Sequence, residues 1–317
     1  MTRKNTLLTV LLFVGLINTS FSQFKSITEN RNIKLGGFLC LDAANFNQDE
    51  GLDTQFGTLQ NSGGYEVRLA AFHMSGNLYE NIDFKLFTGF YTDKANVIEA
   101  YVTLKELPVI GNFRIGKIRE PMRIEALTSR KHLTFLERSL PISFFPIFNE
   151  GAMVFNSFFN NRLHVQTSYF KGNSSYDNVV TNESSITSRM TGHVISKLEN
   201  NHVWHIGVSH RYRTDTEHIY KISSDPEAHL SPVKYLNTGL ITDVSHINYF
   251  AGETAYNYRN WQLQAEYLSS QLNRNLSENL QFSSYYAQVS CFVTGEEKRF
   301  NKNMYFYGAI SPKENFS

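Results

Sequence analysis

From Asn32 to Ala44 apolar and polar residues alternate: Ile33, Leu35, Leu39 and Leu41 against Lys34, Gly36, Cys40 and Asp42. A period of two gives a strand one apolar and one polar face. The pattern recurs. Tyr65, Val67, Leu69 and Ala71 face one way, with Glu66, Arg68 and Phe72 opposite. After a turn near Gly76-Asn77, Ile82, Phe84, Leu86, Thr88 and Phe90 alternate with Asp83, Lys85 and Gly89. Ile98, Ala100, Val102 and Leu104 then stand opposite Glu99, Tyr101, Thr103 and Lys105. A turn holding Pro108 and Gly111 leads to a strand with Phe113, Ile115 and Lys117 on one face and Arg114 and Gly116 on the other.

The later chain repeats the theme. Ala152 to Phe159 is a strand, closed by a tight turn at Asn160-Asn161. Leu163, Val165, Thr167 and Tyr169 form an outer row, with His164, Gln166 and Ser168 inside. Thr187, Arg189, Thr191 and His193 line a polar row; past a turn at Glu199 to Asn201, His205, Ser209, Arg211 and Arg213 oppose Trp204, Ile206, Val208 and Tyr212. Val233 to Thr242 and Ser245 to Tyr258 are weaker strand candidates. Trp261 to Tyr267 and Tyr285 to Val293 alternate clearly, and the tail after Gly295 reads as polar and strandless. The connections read as polar loops at Asn45–Gly63, Gly172–Ser185 and Thr214–Pro232, alternating with short turns. Short turns on one rim and long loops on the other are the habit of an outer-membrane barrel. Tyr169, Trp204, Tyr212, Trp261 and Tyr267 fall where interfacial aromatic girdles would lie.

One stretch breaks the alternation. After Arg119, Pro121 ends the ladder because proline has no N–H to donate. About thirty residues follow without a strand pattern, a length that marks functional loops or disorder. Their apolar content (Leu127, Leu133, Phe135, Leu136, Leu140, Phe144, Phe145, Phe148) argues against disorder. Arg119, Arg123, Arg130, Lys131 and Arg138 stand in it against Glu120, Glu125 and Glu137. The expectation is a loop that packs against a wall and presents cations to an anion.

This stretch also carries a resemblance. Gly116, Glu120-Pro121, Leu127-Thr128-Ser129 and the run Thr134 to Pro141 resemble the signature segment of the phosphate-selective porin O and P family. Gln262 to Ser270 and Ser283 to Glu296 are similar to the family's late strands. The resemblance implies an all-β fold, an antiparallel transmembrane β-barrel of sixteen strands assembling as a homotrimer, in which arginines and constriction lysines lead anions such as phosphate inward. About thirteen strands are readable here. Since an open edge in lipid leaves unpaired backbone groups, either the product is truncated before its closing strands or a second polypeptide supplies them. Truncation is the reading taken.

Composition and address fit this picture. Arg3 and Lys4, the apolar run Leu7 to Ile17 and the small-x-small step Ser20-Phe21-Ser22 read as a signal peptide over residues 1–22. Cleavage falls between Ser22 and Gln23, and residues 23–317 form the barrel domain. The run is too short to span a bilayer as a helix. A net charge of +1 gives no case for a nucleic-acid partner. Two cysteines, Cys40 and Cys291, exclude a disulfide-rich module and read as unpaired wall residues. No cofactor or metal-ligand spacing is present, no G-x-S-x-G elbow appears, and the carboxylates are scattered, so an enzyme is not the expected reading.

The candidate anion contacts are then the inward cations Arg68, Lys85, Arg114, Arg189, Arg211 and Arg213, joined by Arg119, Arg123, Arg130, Lys131 and Arg138 of the long loop. Arginine offers paired hydrogen bonds to phosphate, whereas lysine acts as a point charge. Arg130-Lys131 stands out because no acid adjoins it in sequence. The inward acids Asp42, Glu66, Asp83, Glu99 and Glu266 dilute the positive field. The alternative is a non-conducting barrel that binds glycan or another ligand through its surface loops.

Overall fold

The computed structural model describes residues 32–308 and 310, apart from 60–62, 92–93, 226–227 and 302–305. The signal-peptide reading therefore lies outside the described residues. Twelve strands form one antiparallel sheet: β1 (Ile33–Asn45), β2 (Gly63–Tyr79), β3 (Ile82–Phe90), β4 (Ala95–Leu107), β5 (Gly111–Arg119), β6 (Phe148–Phe158), β7 (Leu163–Tyr176), β8 (Val179–Lys197), β9 (His202–Asp215), β12 (Val244–Tyr258), β13 (Trp261–Arg274) and β14 (Leu280–Cys291). Each pairs with its successor in that order. Two small ribbons complete the β structure, β10 (Ser223–Ser224) with β11 (Leu236–Asn237), and β15 (Phe300–Asn301) with β16 (Phe306–Tyr307).

The sheet is an open meander among the described residues, since β1 and β14 each have one neighbour. It is nevertheless curled. Residues 120–138 touch β2 through Arg68–Glu137, β9 through Arg211–Glu120, β13 through Glu266, and β14 through Gln288–Thr134. A single segment reaches strands that far apart only if the sheet wraps around it. The concave face is lined by His164, Arg189, Arg211, Asn257 and Gln264, all buried, and the convex face carries Leu35, Val208, Leu263 and Val289, all exposed. Tyr169, Trp204, Tyr212, Trp261 and Tyr267 lie on the convex face as the alternation predicts.

Leu69, Ala71, Phe72 and Ile98 break the expected parity: Ala71 packs into the concave cluster and Phe72 is exposed. Leu69 and Ile98, read as outward, are buried on the concave side. The cause is a bulge in each strand. Cys40 pairs with Leu69 and Leu41 with Val67, leaving Arg68 as the extra residue; Phe87 pairs with Glu99 and Thr88 with Val97, leaving Ile98 extra. An inserted residue resets which face the rest of the strand shows. Arg68 and Leu69 thus both face inward and Phe72 is turned out. Leu69, Ile98 and Phe87 form a small apolar cluster with Phe38 and Tyr91.

Several connections also differ from expectation. Gly172–Ser185 is not a loop but the extended β7–β8 hairpin, joined by Asp177-Asn178 with φ of 47° and 70°. Positive φ at both central residues is the turn that follows strand twist, and Asp and Asn tolerate it. Gly76-Asn77 lies inside β2, and the turn falls at Glu80-Asn81. Val233–Thr242 contributes only β11, whereas Val244–Tyr258 is a full strand, giving twelve long strands among the described residues instead of thirteen. The tail after Gly295 is not strandless, since it forms the β15–β16 ribbon.

The two polar-looking loops are built. Asn45–Gly63 holds the short helix α1 (Glu50–Phe56), and Phe56 packs edge-on against Tyr235 with ring centroids 5.2 Å apart. The Tyr235 hydroxyl also donates to the Gln48 side chain, tying the first loop to the Thr214–Val244 connection. That connection sinks Tyr220, Ile222 and Ile241 into an apolar cluster with Met122, Phe144 and Phe145 of the long loop and Tyr249 of β12.

Candidate ion pathway

The long loop is an inward-folded insert. It carries a single helical turn, α2 (Ile124–Leu127), and two 3-10 turns at Arg130–His132 and Leu140–Phe144. Met122, Arg123 and Ile124 are wholly enclosed. Tyr220 Oη donates to the Phe144 carbonyl at 2.6 Å, and Glu125 N–H donates to Glu266 Oε1 at 2.7 Å. The loop's second limb is fixed on the other side. Arg68 donates through Nη2 to Glu137 Oε2 at 2.8 Å and through Nη1 to Asp42 at 2.9 Å.

The insert divides the concave face into two unlike regions. Along β8, β9 and β12 the cations are locked to carboxylates. Arg189 donates to Glu253 (Nε to Oε2, 3.2 Å) and to Gln166, and His205 Nε2 lies 2.6 Å from the same Glu253. Arg211 donates from Nε to Glu120 at 2.6 Å and from Nη2 to Glu183. Arg213 pairs with Glu183 at 2.9 Å and Asp215 at 3.0 Å. All three guanidinia are at most 1 % exposed, so no anion reaches them in this arrangement. Arg123 is equally buried, 3.9 Å from Glu266 and over the Phe145 ring. Arg138 is turned into the loop itself, donating to the Thr128 carbonyl at 2.8 Å and the Glu125 carbonyl at 3.3 Å. Burial beside Arg119 and Arg130 pulls its pKa down to about 9, but a guanidinium stays charged at neutral pH.

Along β1 to β7 the region is open. A cavity of ≈ 640 Å³ lies between this wall and Leu127–His132 of the insert. Lys34, Lys85, Arg114, Arg119 and Lys131 line it against Asp83 and Glu99. Lys85 is tied to Glu99, which also faces Arg119 at 3.4 Å, and Arg119 donates to the Leu127 carbonyl at 2.6 Å. Arg114 spends only its Nε, on Thr103 Oγ1 at 2.9 Å, and its guanidinium lies between Tyr101 and Phe155 at 4.3 and 4.9 Å. Neither Arg114, Lys131 nor Lys34 has a carboxylate partner among the described residues. His132 adjoins Lys131 in the insert, and burial together with that ammonium lowers its pKa, so it is neutral at pH 7.

Of the eleven cations singled out from sequence, the cavity thus gathers Lys85, Arg114, Arg119 and Lys131. It leaves Arg189, Arg211, Arg213 and Arg138 as internal ties, with Arg123 enclosed 3.9 Å from Glu266 and its side chain making no hydrogen bond among the described residues. Arg68 and Arg130 face Glu137 instead, Arg130 at 3.7 Å, so the pair Arg130-Lys131 splits: an acid remote in sequence holds the first, and the second points to the cavity. Lys34, on the same inward row as Cys40 and Asp42, also lines the cavity, beyond the eleven. The aromatic lining residues carried no signal separate from the wall pattern.

Residues 41–315 match the family model described as phosphate-selective porin O and P. No curated protein matches the sequence. Among solved structures, OmpT, an outer-membrane protein of Vibrio cholerae, is similar at 10% identity and a TM-score of 0.41, over 90% of this chain and 94% of that one. An anion-selective porin from Comamonas acidovorans is similar at 9% identity and a TM-score of 0.39, over 82% and 90% of the two chains. Both are partial likenesses of shape.

Proposed function

The chain belongs to the phosphate-selective porin O and P family, and from that premise we propose that it is an outer-membrane porin subunit passing small anions such as phosphate by diffusion. The observation that carries this reading is the cavity beneath the insert, where Arg114 and Lys131 stand without a carboxylate partner among the described residues. An anion leaving water must have its hydration replaced by donors. Arg114 offers its terminal nitrogens as a fixed fork and Lys131 a mobile ammonium. The insert supplies the constriction, because it occupies the concave face and is fastened at both limbs. The ion pairs along β8, β9 and β12 make the wall rigid and leave selectivity to the other side.

The same proposal includes export through a signal peptide cut between Ser22 and Gln23, and a homotrimeric assembly. Porins are channels, so no catalytic role is assigned to the buried histidines.

The protein reconstituted in a planar bilayer under a salt gradient tests the reading. Reversal potentials should show anion preference, and Lys131→Glu should reduce it. A cation preference that Lys131→Glu leaves unmoved would sink the anion claim.

A further inference from the structure

The open cavity combines two chemistries. One wall offers charge: Arg114, Lys131 and Lys34 lack carboxylate partners among the described residues. The same lining offers rings: Tyr101 and Phe155 flank the Arg114 guanidinium, and farther along the sheet Phe38 and Phe87 lie 6.3 Å apart at 43°. Met153 and Leu127 extend the apolar surface. A compact, strongly hydrated anion gains nothing from such rings, since rings do not replace water around a compact ion. A guanidinium seated between ring faces does suit a planar ligand, whose edge carries charge and whose face stacks.

We propose that this cavity is a binding site for small aryl carboxylates: Arg114 takes the carboxylate while Phe155, which lies beside it, contacts the ring, and Lys131 adds positive charge to the same cavity. The inference rests on the porin reading of the same cavity and deepens it by naming the anion class. A monocarboxylate also fits the charge better than a multivalent ion, because Glu99 already occupies Lys85 and Arg119. The volume of ≈ 640 Å³ is ample for one ring with its carboxylate.

The test compares benzoate, cyclohexanecarboxylate and acetate on the full chain. In the bilayer, each is titrated against chloride current. Half-block by benzoate should come at about tenfold lower concentration than by acetate, the scale of one stacked ring, with cyclohexanecarboxylate between. Phe155→Ala should shrink the benzoate-to-acetate ratio to within about twofold. Independently, saturation-transfer NMR on detergent-folded protein should show benzoate ring protons in contact, and Arg114→Gln should abolish the effect. Chloride conductance with equal block by benzoate and acetate overturns the inference and spares the porin reading. Absence of conductance with ring contact still seen overturns the porin reading and leaves the site. Ring contact that survives Arg114→Gln overturns the inference as well.

Discussion

Arg211 Nε donates to Glu120 Oε1 across 2.6 Å, joining the middle of β9 to the residue that opens the inward insert. Both side chains are shut off from solvent, and the same carboxylate also accepts from Asn149 Nδ2 at 2.8 Å and from Thr187. Glu120 is therefore the point at which the insert leaves β5 and is clasped by strands on either side. Removing one member of a buried ion pair costs about 3–5 kcal/mol, because the partner is left uncompensated. Arg211 keeps Glu183, so Glu120→Gln should fall near the lower end, about 3 kcal/mol. Denaturant unfolding of the detergent-folded protein measures this. An unchanged midpoint would show that the clasp does not hold the insert.

Glu137 holds the other limb. It takes a paired contact from Arg68 and lies 3.7 Å from Arg130. Glu137→Gln keeps the size of the side chain but removes its charge, leaving two guanidinia facing one fewer carboxylate. The amide oxygen can still accept from Arg68, which Asp42 holds in place at 2.9 Å, so the insert should stay folded. The expected outcome is stronger anion preference, on the order of twofold in permeability ratio for one charge in a half-screened site. Reversal potentials in a salt gradient decide it, and the effect should fade at high salt.

The contrast between Arg189 and Arg114 shows what sequence could and could not convey. Both stand on inward rows, and alternation placed both correctly. What separates them is the residue across the fold: Glu253, 64 positions away, locks the first, while two rings flank the second. Pairings of that range are set by sheet register, which local pattern does not carry. The bulges at Arg68 and Ile98 are illegible for a related reason, since one inserted residue leaves the composition of a strand unchanged while reversing its faces. The extended β7–β8 hairpin was hidden by its Ser and Asn content, residues that ordinarily mark loops but here stay in register to the Asp177-Asn178 turn. The strand–turn meander and the inward insert, by contrast, were legible because polarity alternation and its sudden loss are local properties.

Lys298 makes the stability of the tail rise with alkali. Its Nζ is buried against Thr134 Oγ1 at 3.2 Å and lies 5.4 Å from the Tyr307 ring, and burial lowers its pKa from 10.5 to about 8. Between these values the unfolded chain holds a proton that the folded chain has released. Stability therefore rises with pH across that window, and below about 8 the cost of burying the charge is fully present. Lys298→Met should accordingly be more stable than the parent at pH 7, with the gap closing by pH 10. Melting temperatures of both proteins across pH 7 to 10 test the sign. A gap that widens with alkali would contradict the buried ammonium.

The lipid-facing assignment of the convex surface has its own test in β9. Val208 sits mid-strand and is 56 % exposed, while its neighbour Ser209 is 6 % exposed and lies on the concave side. In a porin wall Val208 meets hydrocarbon near the bilayer centre, where an arginine costs about 2–4 kcal/mol, falling toward the interfaces. Val208→Arg should lose that much on folding into vesicles. Val203, at the rim end of the same strand, is buried under the tail, so the graded comparison uses His202→Arg, placed at the interface, for which about 0–1 kcal/mol is expected. If the convex face met water instead, both substitutions would be near neutral and equal. Folding titrations into lipid vesicles separate the two cases by the difference between the variants.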